Sequence, residues 1–219
     1  MTKRILFFII WLLPIVQIDA QSFDVRVTKS INNIDSYSFS RFISKSDEIL
    51  CVAIPVGLIG YGLLTDNESV FYEGVSAGLA VGMSAAIMWG SKRLIKRDRP
   101  FITHPDDIFN YTKKKVNGYS FPSGHTSTAF ALATSLTLIH SKWYVAVPSY
   151  LFATSVAYSR MNLGVHYFYD VLAGSLLGAG CAYLAHISTK WFRNRYGKSS
   201  STVLNMAPAS CFLAIAIPF

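Results

Sequence analysis

Ser159-Arg160-Met161-Asn162-Leu163-Gly164-Val165-His166-Tyr167-Phe168-Tyr169-Asp170 leads directly into an apolar stretch marked by small residues, Val171-Leu172-Ala173-Gly174-Ser175-Leu176-Leu177-Gly178. If the second half of this segment is helical, His166 and Asp170 lie four residues apart on one face. A carboxylate beside an imidazole orients the ring, selects its tautomer and stabilises its cationic form. The other ring nitrogen is then a competent nucleophile or base. Arg160 adds a planar cation suited to phosphate. His166, Asp170, Gly174 and Gly178 step by four, which drifts by about 40° per step on a helix. The pair therefore continues into a ridge of small residues able to pack closely. A His and an Asp at this spacing also occur as a plain surface pair or helix start, so the pair acquires meaning only from partners elsewhere in the chain.

Two stretches supply candidates. Phe121-Pro122-Ser123-Gly124-His125-Thr126-Ser127 is a turn that opens an apolar helix. Backbone N–H groups at Ser123, Gly124 and the helix start can cradle an oxyanion, with the Ser123 hydroxyl as a further donor and His125 beside it. Lys92-Arg93-Leu94-Ile95-Lys96-Arg97-Asp98-Arg99-Pro100 closes another helix. Pro100 discourages its continuation. Lys92 and Arg99 are seven apart, two turns, and would share a face turned to one anion. Arg93 and Arg97 would lie on another face, toward lipid headgroups or solvent.

Composition sets the surroundings. Of 219 residues, 52% are hydrophobic and only 15% charged, with a net charge of +8. Soluble domains carry roughly 25% charged residues, so the chain leans toward a membrane. Nucleic acid is disfavoured as a partner, because the basic residues interleave with long apolar segments and form no reading module. Cys51, Cys181 and Cys211 are odd in number and contain no CxxC, which suggests neither a disulfide framework nor a zinc site. A Cys51–Cys181 bridge is left open by the sequence.

Residues 1–20 read as a secretory signal or a first membrane helix, with Lys3 and Arg4 before an apolar core. Residues 21–48 form a polar exported segment containing a short amphipathic helix. Residues 49–190 form the helical bundle, and 191–219 a basic segment followed by an apolar tail. Within the bundle, apolar helices are expected over 49–64, 71–90, 126–139, 143–158 and 166–187. Gly74, Gly78 and Gly82 make a second small-residue ridge. The fold class is all-α, a polytopic bundle of five or six spans. The basic residues from 190 to 198 then sit inside by the positive-inside rule. The segment 91–125, with eight Lys and Arg residues, sits outside against that rule, and a phosphate site would explain it.

Taken together and in order, Lys92-x6-Arg99-Pro100, Pro122-Ser123-Gly124-His125 and Ser159-Arg160-x5-His166-x3-Asp170 resemble the full signature of the type 2 phosphatidic acid phosphatase family. That family also includes class A acid phosphatases and vanadium haloperoxidases. The resemblance implies a phosphatase in which His166 is the nucleophile and Asp170 orients it. It implies that His125 is the general acid, and that Lys92, Arg99, Arg160, Ser123 and Gly124 hold the phosphate. It implies no metal and no cofactor. The expected partners are a phosphorylated lipid substrate and membrane lipid: a monoester or diphosphate hydrolysed at the outer face of a bacterial-type inner membrane. A soluble secreted acid phosphatase of class A type is the alternative, since several apolar runs are short enough for buried core helices. His104, His140 and His186 show no pairing in sequence. Oligomeric state is not specified.

Overall fold

The computed structural model describes residues 22–113, 115–116 and 118–196. The signal-or-anchor reading of 1–20 and the apolar tail fall outside these residues. The described chain is all helical. A first helix, α1, covers residues 22–32. It is followed by α2 (Tyr37–Leu64), α3 (Glu68–Ile95), the single turn α4 (Pro100–Thr103), α5 (Gly124–His140), α6 (Trp143–Asn162) and α7 (Phe168–Tyr196). The five long helices match the five read from periodicity, and no strand occurs among the described residues.

Local chemistry sets several of the ends. The Asn67 side chain accepts the Val70 amide at 3.3 Å and caps α3. α3 stops at Ile95 because Lys96 adopts a left-handed conformation (φ 52°) while its N–H closes on the Lys92 carbonyl. Ser141 ends α5 in the same way (φ 47°). Pro148 lies inside α6, and Pro55 inside α2.

α2 begins at Tyr37, twelve residues before the apolar run that announced it at Ile49. The extra turns carry Ser40, Ser44 and Asp47, all buried, while Phe39, Phe42, Ile49 and Val52 are exposed. The helix is polar inward and apolar outward. A polarity pattern that reads as a loop in a soluble protein is here the inner face of a helix whose outer face suits lipid.

α5 lies at the centre, packed against α2, α3, α6 and α7, and α7 also packs along α3. The core is built largely from alanine, including Ala77, Ala80, Ala129, Ala131, Ala133, Ala153 and Ala182. Small side chains allow backbones to approach. A Cβ placed on Gly174 would stand 2.7 Å from the Ser123 carbonyl oxygen, and one on Gly178 2.1 Å from that of Ser127. The α7 ridge is therefore the surface on which the start of α5 is seated. The α3 ridge behaves differently: Gly74 is pressed against Ile59, Gly78 makes ordinary contact with Pro55, and Gly82 faces open space. The tightest backbone approach of α2 to α3 at these glycines is near their connecting turn, and farther along Cys51 and Ala77 pack into one cluster. Cys51 and Cys181 are both free and buried.

α2, the segment Glu68–Thr103 and the segment Phe168–Arg195 are long and apolar enough to cross a membrane. α5, with 17 residues, and α6, with 20, complete the bundle. Length and apolarity thus mark three spans among the described residues, fewer than the five or six expected.

Candidate active site

The C-terminal ends of α3 and α6 and the N-terminal ends of α5 and α7 meet at one end of the bundle. The link from α6 to α7 is short. Val165 and His166 amides both donate to the Arg160 carbonyl, at 3.2 and 3.3 Å, and Gly164 donates to Met161. Gly164 has φ +73°, and a Cβ there would lie 2.2 Å from the Phe109 carbonyl oxygen. Glycine is required at this turn by both conformation and space. Arg160, in the last turn of α6, and His166, in the link, are thereby tied together through the Arg160 carbonyl.

His166 sits in that loop, before α7, so the expected shared helical face of His166 and Asp170 is corrected. Asp170 lies in the first turn of α7. Its Oδ2 accepts the Tyr167 amide at 2.9 Å, the reach-back half of a capping box. The same oxygen is 3.6 Å from His166 Nδ1, an ion-pair distance longer than a hydrogen bond. His166 is 2% exposed and its Nδ1 has no hydrogen-bond partner among the described residues. Burial holds its pKa well below the ordinary imidazole value, and the charges of Arg160, Lys92 and Arg99, with His125, push the same way. These surroundings therefore favour a neutral imidazole, ringed by cations.

All three expected cations surround it, though not by the expected geometry. With α3 ended at Ile95, Lys92 is in the last helical turn and Arg99 is in the extended segment before α4. They do not share a helical face. Lys92 Nζ donates to the Tyr119 carbonyl at 2.7 Å. Arg99 donates to the carbonyls of Gly118 and Val165, each at 3.0 Å. Arg160 is buried, and its Nη1 donates to Ser44 Oγ at 3.0 Å. Its Nε has no hydrogen-bond partner among the described residues. Buried donors are normally satisfied, so a buried guanidinium N–H in a cationic cluster fits an anion as its partner.

The start of α5 brings in the remaining residues. Ser123 precedes the helix, fully buried, with Oγ 2.9 Å from Thr126 Oγ1. Its amide donates to the Asp170 carbonyl at 3.0 Å. The Ser123 N–H is thus committed to holding α7 and is not an oxyanion donor as expected. Gly124, His125 and Thr126 carry the first-turn amides that lack an acceptor within the helix. His125 Nε2 lies 3.1 Å from Glu48 Oε1 of α2. Among the described residues, no group of three or more His, Cys, Asp and Glu side chains could hold a metal ion.

Sequence reasoning missed five contributors. Arg97, assigned to lipid or solvent, turns inward: its Nη1 is 2.6 Å from Asp170 Oδ1 and its Nη2 2.5 Å from Asp24 Oδ2. Asp24 sits in a polar segment with nothing to mark it. Glu48 and Ser44 belong to the part of α2 read as a polar exported segment outside the bundle. Lys115, outside all three motifs, lines with Arg41, Lys45, Glu48 and His125 a cavity of about 440 Å³ that reaches Arg160. His104 rests edge-on against Tyr167, beside the site, whereas His186 lies at the far end of α7. His140 closes α5, also at that end.

A family model described as the PAP2 superfamily matches residues 73–194. An undecaprenyl-diphosphatase of Sulfolobus acidocaldarius is 34% identical over 110 residues, covering 49% of this chain and 52% of that protein. A lipid A 1-phosphatase of Rhizobium etli is 29% identical over 150 residues, 64% of each chain. The chain thus spans about half to two thirds of these relatives. Among solved structures, a transmembrane PAP2-type phosphatidylglycerolphosphate phosphatase from Bacillus subtilis shares the fold. Its TM-score is 0.64 at 24% identity, covering 84% of this chain and 93% of that one.

Proposed function

The chain belongs to the PAP2 superfamily and is a phosphoric ester hydrolase, and we propose that it hydrolyses lipid phosphate monoesters or diphosphates without a metal, through a phosphohistidine on His166. The observation that carries this reading is the buried His166 encircled by Lys92, Arg99 and Arg160 at the mouth of an outwardly apolar bundle. The three cations neutralise the phosphoryl oxygens as charge develops. The Gly124 and His125 amides at the start of α5 add fixed dipoles.

Chemically, the ring nitrogen turned away from Asp170, Nε2, attacks phosphorus. A P–N bond forms as the P–O bond to the lipid breaks. His125 gives its proton to the departing oxygen, and Glu48 stands where a protonated His125 needs a counter-charge. Water then attacks the phosphohistidine, His125 takes its proton, and phosphate leaves with His166 restored. Asp170 stabilises the phosphorylated imidazolium.

The lipid reading is supported by apolar side chains left exposed along the bundle flanks below the site, Val52 and Val56 on α2 and Leu172 and Leu176 on α7. The opposite end carries Lys190, Arg193 and Arg195. With the basic residues of segment 91–125 set aside as belonging to a phosphate site, the positive-inside rule makes that end cytoplasmic and turns the active site to the periplasm or exterior. Phosphate release by purified protein, across lipid monophosphates, lipid diphosphates and water-soluble phosphomonoesters with chelator present, tests the reading. Release from lipid substrates that is lost in His166→Ala is expected. Release from water-soluble esters alone would overturn the lipid assignment.

A further inference from the structure

α1 lies outside the residues 73–194 that match the family model, yet it reaches the centre of the site. Its Asp24 is 1% exposed and uses both carboxylate oxygens. Oδ1 accepts the Tyr169 amide at 2.9 Å, and Oδ2 receives Arg97 Nη2 at 2.5 Å. Arg97 passes the contact on, with Nη1 on Asp170 Oδ1 at 2.6 Å. Its guanidinium lies over the Tyr167 ring, 3.9 Å from the centroid, which fixes its plane. One turn further along α1, Thr28 Oγ1 accepts the Phe168 amide at 3.2 Å. The amides at the start of α7 are therefore capped from α1 and by Asp170 itself.

The charges of this cluster matter as much as its geometry. Arg97 alone on Asp170 would cancel the carboxylate that a phosphorylated, cationic His166 needs. Shared between two carboxylates, Arg97 leaves the group of three with a formal charge of −1 beside His166. In a buried site that difference is felt far more than in water. We propose that Asp24 is a positioning residue of the catalytic centre: through Arg97 it holds Asp170 in place and keeps a net negative charge next to His166. This rests on His166 being the nucleophile.

The test measures phosphate release from a short-chain lipid phosphate in detergent, with a thermal unfolding curve for every variant. Asp24→Asn leaves Arg97 to Asp170 alone, and its kcat should fall about 30-fold. KM should stay within about threefold, because no substrate contact is lost. Removing the now unbalanced cation as well, in Asp24→Asn/Arg97→Gln, returns the cluster to −1 and should recover kcat by about tenfold over the single variant. A merely structural Asp24 would instead give losses that add. The proposal is overturned if folded Asp24→Asn keeps the wild-type kcat, or if the double variant is no faster than the single. Should Asp24→Asn fail to fold, the double variant decides alone: folded and within about tenfold of wild type supports the proposal, and anything less overturns it. A wild-type protein as inactive as His166→Ala would overturn the nucleophile reading and this proposal with it.

Discussion

Replacing Gly174 by Ala should slow catalysis although no side chain that touches substrate changes. The new Cβ would stand 2.7 Å from the Ser123 carbonyl oxygen, where ordinary contact begins at 3.4 Å. The Cβ meets a backbone carbonyl at the residue that leads into α5, not the end of a flexible side chain, so α7 and the start of α5 must part by about 0.7 Å. That displacement falls on the hinge of the site. Ser123 leads into Gly124 and His125, and its amide is bonded to the carbonyl of Asp170. Spreading the two helices moves His125 away from His166 and loosens Asp170. Overpacking of this kind costs about 1–3 kcal/mol of stability. A misplacement approaching 1 Å costs up to about 100-fold in rate, so a 10- to 100-fold fall in kcat is expected, both being order-of-magnitude figures. Gly180→Ala, on the same helix with nothing within 4 Å, is the control and should keep full activity. The assay is steady-state phosphate release alongside thermal unfolding in detergent. Gly174→Ala with wild-type kcat and wild-type unfolding temperature would refute the claim that this close approach sets the site.

Other outcomes follow from particular contacts. Gly164→Ala combines a left-handed backbone with a Cβ 2.2 Å from the Phe109 carbonyl oxygen, and should lose most folded protein, read as recovery in the monodisperse fraction after detergent extraction. His166 has its pKa lowered by burial, so the unfolded chain binds more protons as pH falls below about 6.5 and the empty protein loses stability there; phosphate should offset the loss, and His166→Ala should show a smaller pH slope in unfolding temperature. Lys115 lines the cavity beside His125 and Arg160, so Lys115→Ala should raise KM by about two- to fivefold with kcat unchanged, the mark of a binding contact.

The sequence made much of the site legible because its chemistry is carried by short motifs. His166, His125, Lys92, Arg99 and Arg160 stand in three short motifs that suggested one cluster, and the structure gathers them at one end of the bundle. The errors came from backbone commitments that side-chain identity does not reveal. Lys96 enters the left-handed region and ends α3 early, which separates Lys92 from Arg99 and turns Arg97 inward. The Ser123 amide is used to bind α7. Polarity misled in α2, where Ser40, Ser44 and Asp47 were placed in a polar exported segment outside the bundle yet face its interior. Their partners, Asn162 for Ser40 and Ser159 for Ser44, lie more than a hundred residues away. Asp24 was invisible for the same reason, since its role is written only in contacts with Arg97 and Tyr169.

The central claim is that His166 carries the phosphoryl group. An activated phosphate ester, whose leaving group needs no proton, can be mixed with His125→Ala protein, which forms the intermediate but lacks the group that activates water. After a rapid quench in base, peptide mass spectrometry locates the label. The account predicts an acid-labile phosphoryl group on His166, formed as fast as the leaving group appears and absent in His166→Ala. Phosphoryl transfer to any other residue, or leaving-group release in wild type that persists in His166→Ala, would contradict it.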